Sequence, residues 1–159
     1  MSKVEIIDQA LLLQAADAAT TAPRRRRNYN FHTNDTDACH RLLNAVEADS
    51  YIPPHCHLDP GKDETILALR GKFGLVLFGP DGTISNTVLL EAGGNILGIN
   101  IPHGQFHTVV ALQAGSVFFE SKAGPFLPLT PEEKAPWAPG EATPEAAAYL
   151  NQLKELFLA

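Results

Sequence analysis

Residues 53–64 read PPHCHLDPGKDE and place His55 and His57 one residue apart, followed across an acidic turn by Asp63 and Glu64. In an extended chain alternate side chains point to the same face, so the two imidazoles are expected to converge. Burying two neutral imidazoles side by side costs free energy unless each finds a hydrogen-bond partner or a metal. The stretch therefore favours a site for a divalent cation.

A third histidine follows a second turn. In IPHGQFHTVV, residues 101–110, Pro102 and Gly104 make the turn and His107 begins the next apolar run. Three imidazoles and one carboxylate form a ligand set suited to Fe, Mn, Co, Ni or Zn, and leave coordination positions open for catalysis. We predict one divalent transition metal per chain, whose identity the spacing does not select.

The chain around these histidines alternates short apolar runs with turns. The turns contain the Gly, Pro or Asp that special backbone dihedrals require. Six or seven short strands at this spacing predict an all-β sandwich or barrel. The runs are TILALR, LVLF, TISNTVLL, NILGINI, QFHTVVAL and SVFFES, between residues 51 and 122.

Helices are predicted on both sides of this β region. Ser2 and Glu5 form a capping-box pattern, and apolar residues at helical spacing continue to about Ala18. The segment DACHRLLNAVE, residues 37–47, predicts a short second helix. If this segment is a helix, His40 is expected to be exposed and Cys39 to be a packed thiol. Cys56, between the two histidines, is expected to be a packed thiol that faces away from them.

The C-terminal part is predicted to be an extended arm followed by a helix. Residues 124–144 are too rich in proline for regular structure, and Trp137 is expected to pack on the β region. Thr143 is the predicted N-cap, with Pro144 in the first turn. An apolar stripe of Ala146, Leu150, Leu153 and Phe157 predicts that the helix docks on the body.

The chain of 159 residues is predicted to form one domain. Within it, residues 1–50 are the helical and arginine-rich segment, residues 51–124 the β region, and residues 125–159 the arm and last helix. Sheets of this kind expose long edges, so a homodimer is also predicted.

The charge and composition narrow the function classes. A formal net charge of −6 gives a surface that repels phosphate backbones, so no nucleic-acid partner is expected. No apolar stretch approaches the about 20 residues of a membrane span, so no membrane partner is expected. With only two cysteines there is no disulfide framework, and a cytoplasmic location is predicted.

The two histidine motifs resemble those of the cupin superfamily. His55, His57, Glu64 and then Gly71 resemble the first cupin motif, and PHGQFH at residues 102–107 resembles the more specific second one. The resemblance implies a double-stranded β-helix barrel of jelly-roll type with flanking α-helices. It also implies that the metal ligands are His55, His57, Glu64 and His107.

Two departures from the cupin pattern bear on these ligands. The loop between His57 and Glu64 is longer than is usual in the superfamily, which leaves Asp59 or Asp63 as alternative ligands. Ala111 also stands where an asparagine often follows the second motif. The six residues between Glu64 and Gly71 favour Glu64.

A further likeness covers about residues 20–140. The segments RRRRNYNFH, NAVEADSYIPPHCH and FFESKAGPF, followed by APWAP, resemble the WbuC family of cupin-fold metalloproteins. Some members of that family lie among genes for surface polysaccharide synthesis, so the resemblance implies sugar chemistry by association only.

Basic and polar residues before the β region are candidate substrate-binding groups. Arginine matches carboxylate and phosphate groups bidentately, and a metal with three neutral histidines and one carboxylate keeps a positive charge. We therefore expect a small anionic ligand, with a solvated surface loop as the alternative for the arginines. The candidates are Arg24, Arg25, Arg26, Arg27, Asn30 and His32.

Three residues are candidate catalytic groups. Glu120 and Lys122 alternate with Phe119 in the last predicted strand, so they face either the solvent or the metal. If they face the metal, they are candidate acid–base or substrate-binding groups. Tyr51 shares the predicted face of His55 and is either a phenol near the metal or core filler. His103, within the turn, is expected to face solvent.

Three functions are compatible with these residues. The first is a metal-dependent isomerase, lyase or dioxygenase acting on a small polar or anionic molecule, with a sugar derivative as one option. The second is a non-catalytic binding or sensing protein with a bound metal. The third is a metal-free sugar epimerase that uses a histidine and a tyrosine, which the convergence of three imidazoles disfavours.

Overall fold

The computed structural model describes residues 4–158, which form two antiparallel β-sheets and two α-helices. The strands are β1 (Arg26–Asn30), β2 (Cys39–Val46), β3 (Glu64–Arg70), β4 (Lys72–Phe78), β5 (Ile84–Glu91), β6 (Gly98–Ile101), β7 (Phe106–Ala111) and β8 (Ser116–Ala123). The helices are α1 (Gln9–Thr20) and α2 (Ala146–Glu155), and Pro131–Glu133 form a single 3-10 turn.

The larger sheet has five strands in the order β1-β2-β8-β3-β6, and the smaller has three in the order β5-β4-β7. Alternation along each strand directs one set of apolar side chains between the sheets. There Phe73 of β4, which is fully buried, meets Phe118 of β8 edge to face, with ring centroids 5.2 Å apart. The space between the sheets therefore holds the main core, as an all-β architecture requires.

Each helix covers the outer face of one sheet. The alanine-rich face of α1, including Ala15 and Ala19, packs on Leu43 and Val117 of the larger sheet. In α2 the predicted stripe of Ala146, Leu150 and Leu153 is buried against the smaller sheet, and Phe157 packs beside it. Trp137 packs on Phe78 with ring centroids 4.7 Å apart, as expected for the proline-rich arm.

The helix starts differ from the sequence predictions. Asp8 caps α1 by accepting a hydrogen bond from the Leu11 backbone N–H, so this helix begins at Gln9. The predicted cap at Ser2 lies outside the described residues. Glu145 occupies the N-cap position of α2, two residues after the predicted Thr143, whose hydroxyl instead donates to the Gly140 carbonyl oxygen.

The predicted second helix is wrong. Residues 39–46 form strand β2, which pairs with both β1 and β8. Its apolar residues fit a helical period locally, but tertiary pairing overrides that preference because β2 covers core on both faces. Two strands of the larger sheet therefore precede residue 51, and the predictions for His40 and Cys39 are also wrong: His40 is buried and Cys39 is exposed.

Gly98 lets β6 approach β3 closely. A Cβ atom at this position would lie 2.3 Å from the backbone oxygen of Ile66, which cannot move aside as a flexible side chain could. We expect Gly98→Ala to lower the free energy of unfolding by about 1–3 kcal/mol, because the strands must separate to admit the methyl group. Urea denaturation measures this, and Gly61→Ala, whose Cβ would make an ordinary 3.4 Å contact, is the matched control. Equal stabilities of the two variants would contradict the prediction.

Candidate metal centre and cavity

The candidate metal ligands come from both sheets and from the segment that precedes β3. Glu64 is the first residue of β3 in the larger sheet, and His107 lies near the start of β7 in the smaller sheet. His55 forms a backbone bridge to His107, in which each N–H donates to the other residue's carbonyl oxygen. This bridge holds the His55 and His107 rings side by side, with centroids 4.8 Å apart.

The four side chains converge. One ligand atom from each of His55, His57 and Glu64 lies within 4.8 Å of the others. Oε2 of Glu64 is 3.4 Å from Nε2 of His57 and 3.5 Å from Nε2 of His107. Ligand atoms bound to one transition metal at about 2.1 Å lie about 2.9–3.4 Å apart, so these separations are close to those of a coordination shell.

Hydrogen bonds orient two of the imidazoles. Nδ1 of His55 lies 3.0 Å from the carbonyl oxygen of Pro53, and Nδ1 of His107 lies 2.9 Å from that of Gln105. A carbonyl oxygen only accepts hydrogen bonds, so each Nδ1 carries the proton and each Nε2 keeps its lone pair. This is the tautomer and the backbone support that metal-binding histidines commonly show.

Two buried polar atoms in this cluster have no hydrogen-bond partner among residues 4–158. They are Nε2 of His57 and Oε2 of Glu64. Buried polar atoms are nearly always satisfied, so such a pair of facing atoms needs an explanation. A cation bound between them would satisfy both.

The charge states also fit a cation. Burial, followed by the neighbouring His107, lowers the pKa of His55 to about 3, so that ring is neutral. Burial opposes ionisation of Glu64, but the facing imidazoles of His107 and His57 and the charge of Lys122 hold its pKa well below the usual value. Burial lowers the pKa of His107, but the Glu64 carboxylate outweighs this and raises it. The cluster therefore favours positive charge beside Glu64.

The alternative carboxylates are engaged elsewhere. Asp59 accepts a hydrogen bond from the Gly61 backbone within its own turn, and Asp63 accepts one from the backbone N–H of His103. The His103 ring also pairs with Asp63 and is exposed, as expected. Of the three acids considered, Glu64 is the one that the structure brings to the histidines.

A cavity of about 600 Å³ opens beside the cluster and reaches His55, Glu64 and His107. Apolar and polar side chains both line it, and strands β2 and β8 contribute both kinds. The apolar lining includes Leu42, Ile52, Ile66, Val109 and Phe118. The polar lining includes Arg26, Asn28, Asn30, His40, Asn44, Glu120 and Lys122.

Glu120 and Lys122 face this cavity rather than solvent. Their β8 positions pair with Ile66 and Glu64 of β3, and Phe119 points to the opposite side, against α1. Nζ of Lys122 lies 2.7 Å from Oε1 of Glu120, while Nδ2 of Asn44 donates to Oε2 at 2.7 Å. Burial and the Glu64 charge raise the pKa of Glu120, and the Glu120 and Glu64 charges outweigh burial to raise that of Lys122.

The prediction that Tyr51 shares the face of His55 is wrong. Residues 51–57 do not form a regular strand, and only His55 makes a backbone bridge. The Tyr51 ring packs in the cluster beneath α2, and its hydroxyl donates to the Pro139 carbonyl oxygen at 2.9 Å. Cys56 is fully buried, as expected for a packed thiol.

The four consecutive arginines have different surroundings. Arg24 makes a two-pronged contact with Glu141, and Nη1 of Arg26 lies 2.8 Å from the same carboxylate. Arg25 pairs with Asp49 and Glu47, away from the cavity lining. Arg27 is exposed at the cavity rim. Asn30 and His32, the other predicted binding residues, also line the cavity.

Three polar residues that line the cavity were not among the predicted binding residues, namely Asn28, His40 and Asn44. His40 stacks on His32 with ring centroids 4.0 Å apart, and Asn28 lies directly opposite Asn44 in the β1–β2 register. Reading residues 37–47 as a helix concealed the alternation of His40, Leu42 and Asn44. That alternation, apolar and polar on a single face, was the signal for a strand beside a cavity.

Several solved structures resemble this chain in fold. KdgF from Halomonas sp. is 18% identical with a TM-score of 0.51, and the alignment covers 65% of this chain and 83% of that one. The SPY1581 protein from Streptococcus pyogenes is 13% identical with a TM-score of 0.52, and the alignment covers 80% and 93%. An oxalate decarboxylase is 20% identical with a TM-score of 0.50, covering 65% of this chain but only 27% of that one. The fold is that of the cupin superfamily.

In sequence, the chain belongs to the family described as Domain of unknown function (DUF6016), whose model matches residues 7–90. This match includes His55, His57 and Glu64, and ends before His107. No curated protein matches the sequence. Within residues 4–158, no helix is both long and apolar enough to cross a membrane.

Proposed function

We propose that this protein is a cupin-fold metalloenzyme that holds one divalent transition metal with His55, His57, Glu64 and His107 and acts on a small anionic molecule. The observation that supports it most is the pair of buried, unpartnered atoms, Nε2 of His57 and Oε2 of Glu64, facing each other 3.4 Å apart. The four side chains fit a divalent transition metal in number and in charge. The tautomer of His55 and His107 also leaves Nε2 of each ring able to bind it. The WbuC-like segments and the cytoplasmic location belong to the same proposal.

The metal, when bound, would supply Lewis-acid polarisation of a ligand oxygen. The chain's own residues would do the remaining work. Glu120, held by Asn44 and Lys122, is the group we propose for proton transfer, since it faces the cavity and its pKa is raised. Lys122 would keep its positive charge and attract an anionic substrate. The apolar side chains of the cavity would exclude water from the part of the ligand that they contact.

The structure favours this proposal over the metal-free epimerase. That alternative needs a tyrosine beside a histidine in the cavity, whereas the Tyr51 hydroxyl binds the Pro139 carbonyl oxygen beneath α2. The non-catalytic metal protein would share the same ligands, so it differs only in turnover. A library of small hydroxy and keto acids tested with metal-loaded protein distinguishes the two.

We expect the purified chain to contain about one transition-metal ion per molecule, or to bind one when incubated with Fe, Mn, Ni, Co or Zn salts. Elemental analysis after removal of loosely bound ions measures the ratio. Calcium is the matched control ion, because it prefers oxygen ligands over imidazole. A chain that binds none of the five transition metals would overturn the proposal.

A further inference from the structure

Arg26 differs from its neighbouring arginines in the direction it faces. In the β1–β2 register Arg26 lies opposite Val46 and Asn28 opposite Asn44. Val46 belongs to the core between the sheets, and Asn44 lines the cavity. Arg26 therefore points to the inner side of the larger sheet, the side on which Glu64 and Lys122 also lie. Arg27, one residue on, belongs to the opposite face and reaches the cavity only at its exposed rim.

The Arg26 guanidinium is anchored on one side only. Its Nη1 contacts the Ser50 hydroxyl at 3.2 Å, the Tyr51 carbonyl oxygen at 3.0 Å and a Glu141 oxygen at 2.8 Å. Within residues 4–158, neither Nε nor Nη2 makes a hydrogen bond. The side chain is only 13% exposed, so its position is fixed while one edge of the guanidinium fork remains available.

Glu141 is the acidic partner of two arginines. Both of its oxygens bind Arg24, and one also contacts Arg26, so a single carboxylate serves two guanidinium groups that line the cavity. Arg26, Arg24 and Arg27 thus leave excess positive charge at this end. The candidate metal centre is a second positively charged position in the lining of the cavity. Apolar side chains such as Ile52 and Phe118 also line the cavity.

We propose that Arg26 binds a second anionic group of the ligand, so that the ligand is an elongated dianion with one acidic group at the metal centre and another at Arg26. The position of the first acidic group, at the metal centre, rests on the proposed function. The position of the second rests on the contacts of Arg26 alone. The second group is a carboxylate or a phosphoryl group, since both match the free edge of the guanidinium fork. Glu141 competes with that group for the arginines.

The test measures binding by isothermal titration calorimetry to the full chain, both metal-free and loaded with Co(II). The probes are dicarboxylates from malonate to adipate, with acetate as the monoanion, and phosphonoacetate to distinguish phosphoryl from carboxylate ends. We expect at least one dianion to bind the loaded chain more tightly than acetate, and Arg26→Gln to weaken that dianion about ten- to hundredfold. Arg41→Gln, with the same charge change on the neighbouring strand β2, is the control and should leave this affinity unchanged, because Arg41 is exposed and lies outside the cavity lining.

A second variant controls for misfolding of Arg26→Gln, which also loses the contacts of Arg26 with the Ser50 hydroxyl and the Tyr51 carbonyl oxygen. Glu141→Gln keeps Arg26 and removes its competitor, so it should tighten dianion binding several-fold. Equal weakening by Arg26→Gln and Arg41→Gln, or no gain in Glu141→Gln, would overturn the inference. Failure of Co(II) to bind would instead defeat the proposed function, and the metal-free titrations would still test Arg26.

Discussion

The His107→Ala variant is expected to lose the metal almost completely while it keeps its fold. His107 is 3% exposed, and its Nδ1–H is fixed by the Gln105 carbonyl oxygen, so its Nε2 has little freedom except to face Glu64. Removing one of four ligands from such a centre is expected to lower the metal affinity by several orders of magnitude. His55→Ala should act similarly, since the same backbone bridge positions both rings.

The measurement is metal content by elemental analysis, with circular dichroism to verify the fold. His103→Ala is the matched control, because His103 lies four positions before His107 in the chain, is exposed and pairs with Asp63 outside the cluster. It should keep the metal of the unaltered chain. If His107→Ala retains about one ion per chain and His103→Ala loses it, the ligand assignment is wrong.

The β region could be predicted because its signals are local. All six apolar runs between residues 51 and 122 are strands, and the turns at Gly71, Gly82 and Gly104 have the positive φ that glycine permits. Strand β2 could not be recognised in this way. Residues 39–46 are partly buried on both faces of the strand. The alternation of apolar and polar residues that identifies a half-exposed strand is therefore obscured in the sequence.

The convergence of the candidate metal ligands was predictable from spacing, whereas the arginine contacts were not. His55 and His57 are one residue apart in sequence, and their rings lie near each other, with centroids 5.4 Å apart. The carboxylate that holds Arg24 and Arg26 is Glu141, which follows Arg24 by 117 residues, in the proline-rich arm. No local pattern indicates where such an arm runs. The position of Tyr51 beneath α2 was missed for the same reason.

The Lys122→Met variant is expected to be destabilised by about 3–5 kcal/mol at neutral pH, since it leaves the buried Glu120 carboxylate without its cation. The two groups are 2.7 Å apart, and their side chains are 21% and 9% exposed. Urea denaturation of the metal-free chain measures the loss. Lys72→Met is the matched control, because Lys72 pairs with Glu91 at 3.0 Å on the exposed surface and such a pair contributes little.

This destabilisation should depend on pH in a defined direction. The pKa of Glu120 is already raised by burial and by Glu64, and removing Lys122 raises it further. A carboxyl group whose folded pKa lies above its unfolded value takes up a proton on folding, so stability is lost as pH rises between those two values. The difference between variant and unaltered chain should therefore be small near the unfolded pKa of glutamate and grow towards neutral pH.

A double variant separates charge from packing. Glu120→Gln combined with Lys122→Met removes both charges and keeps the hydrogen bond from Asn44 to the side chain at position 120, so it should recover most of the lost stability. If the double variant were as unstable as Lys122→Met, and the loss in both variants were independent of pH, the loss would come from packing. Full recovery instead means that the ion pair is dispensable for folding, as expected if Glu120 and Lys122 have the roles proposed for them in the cavity.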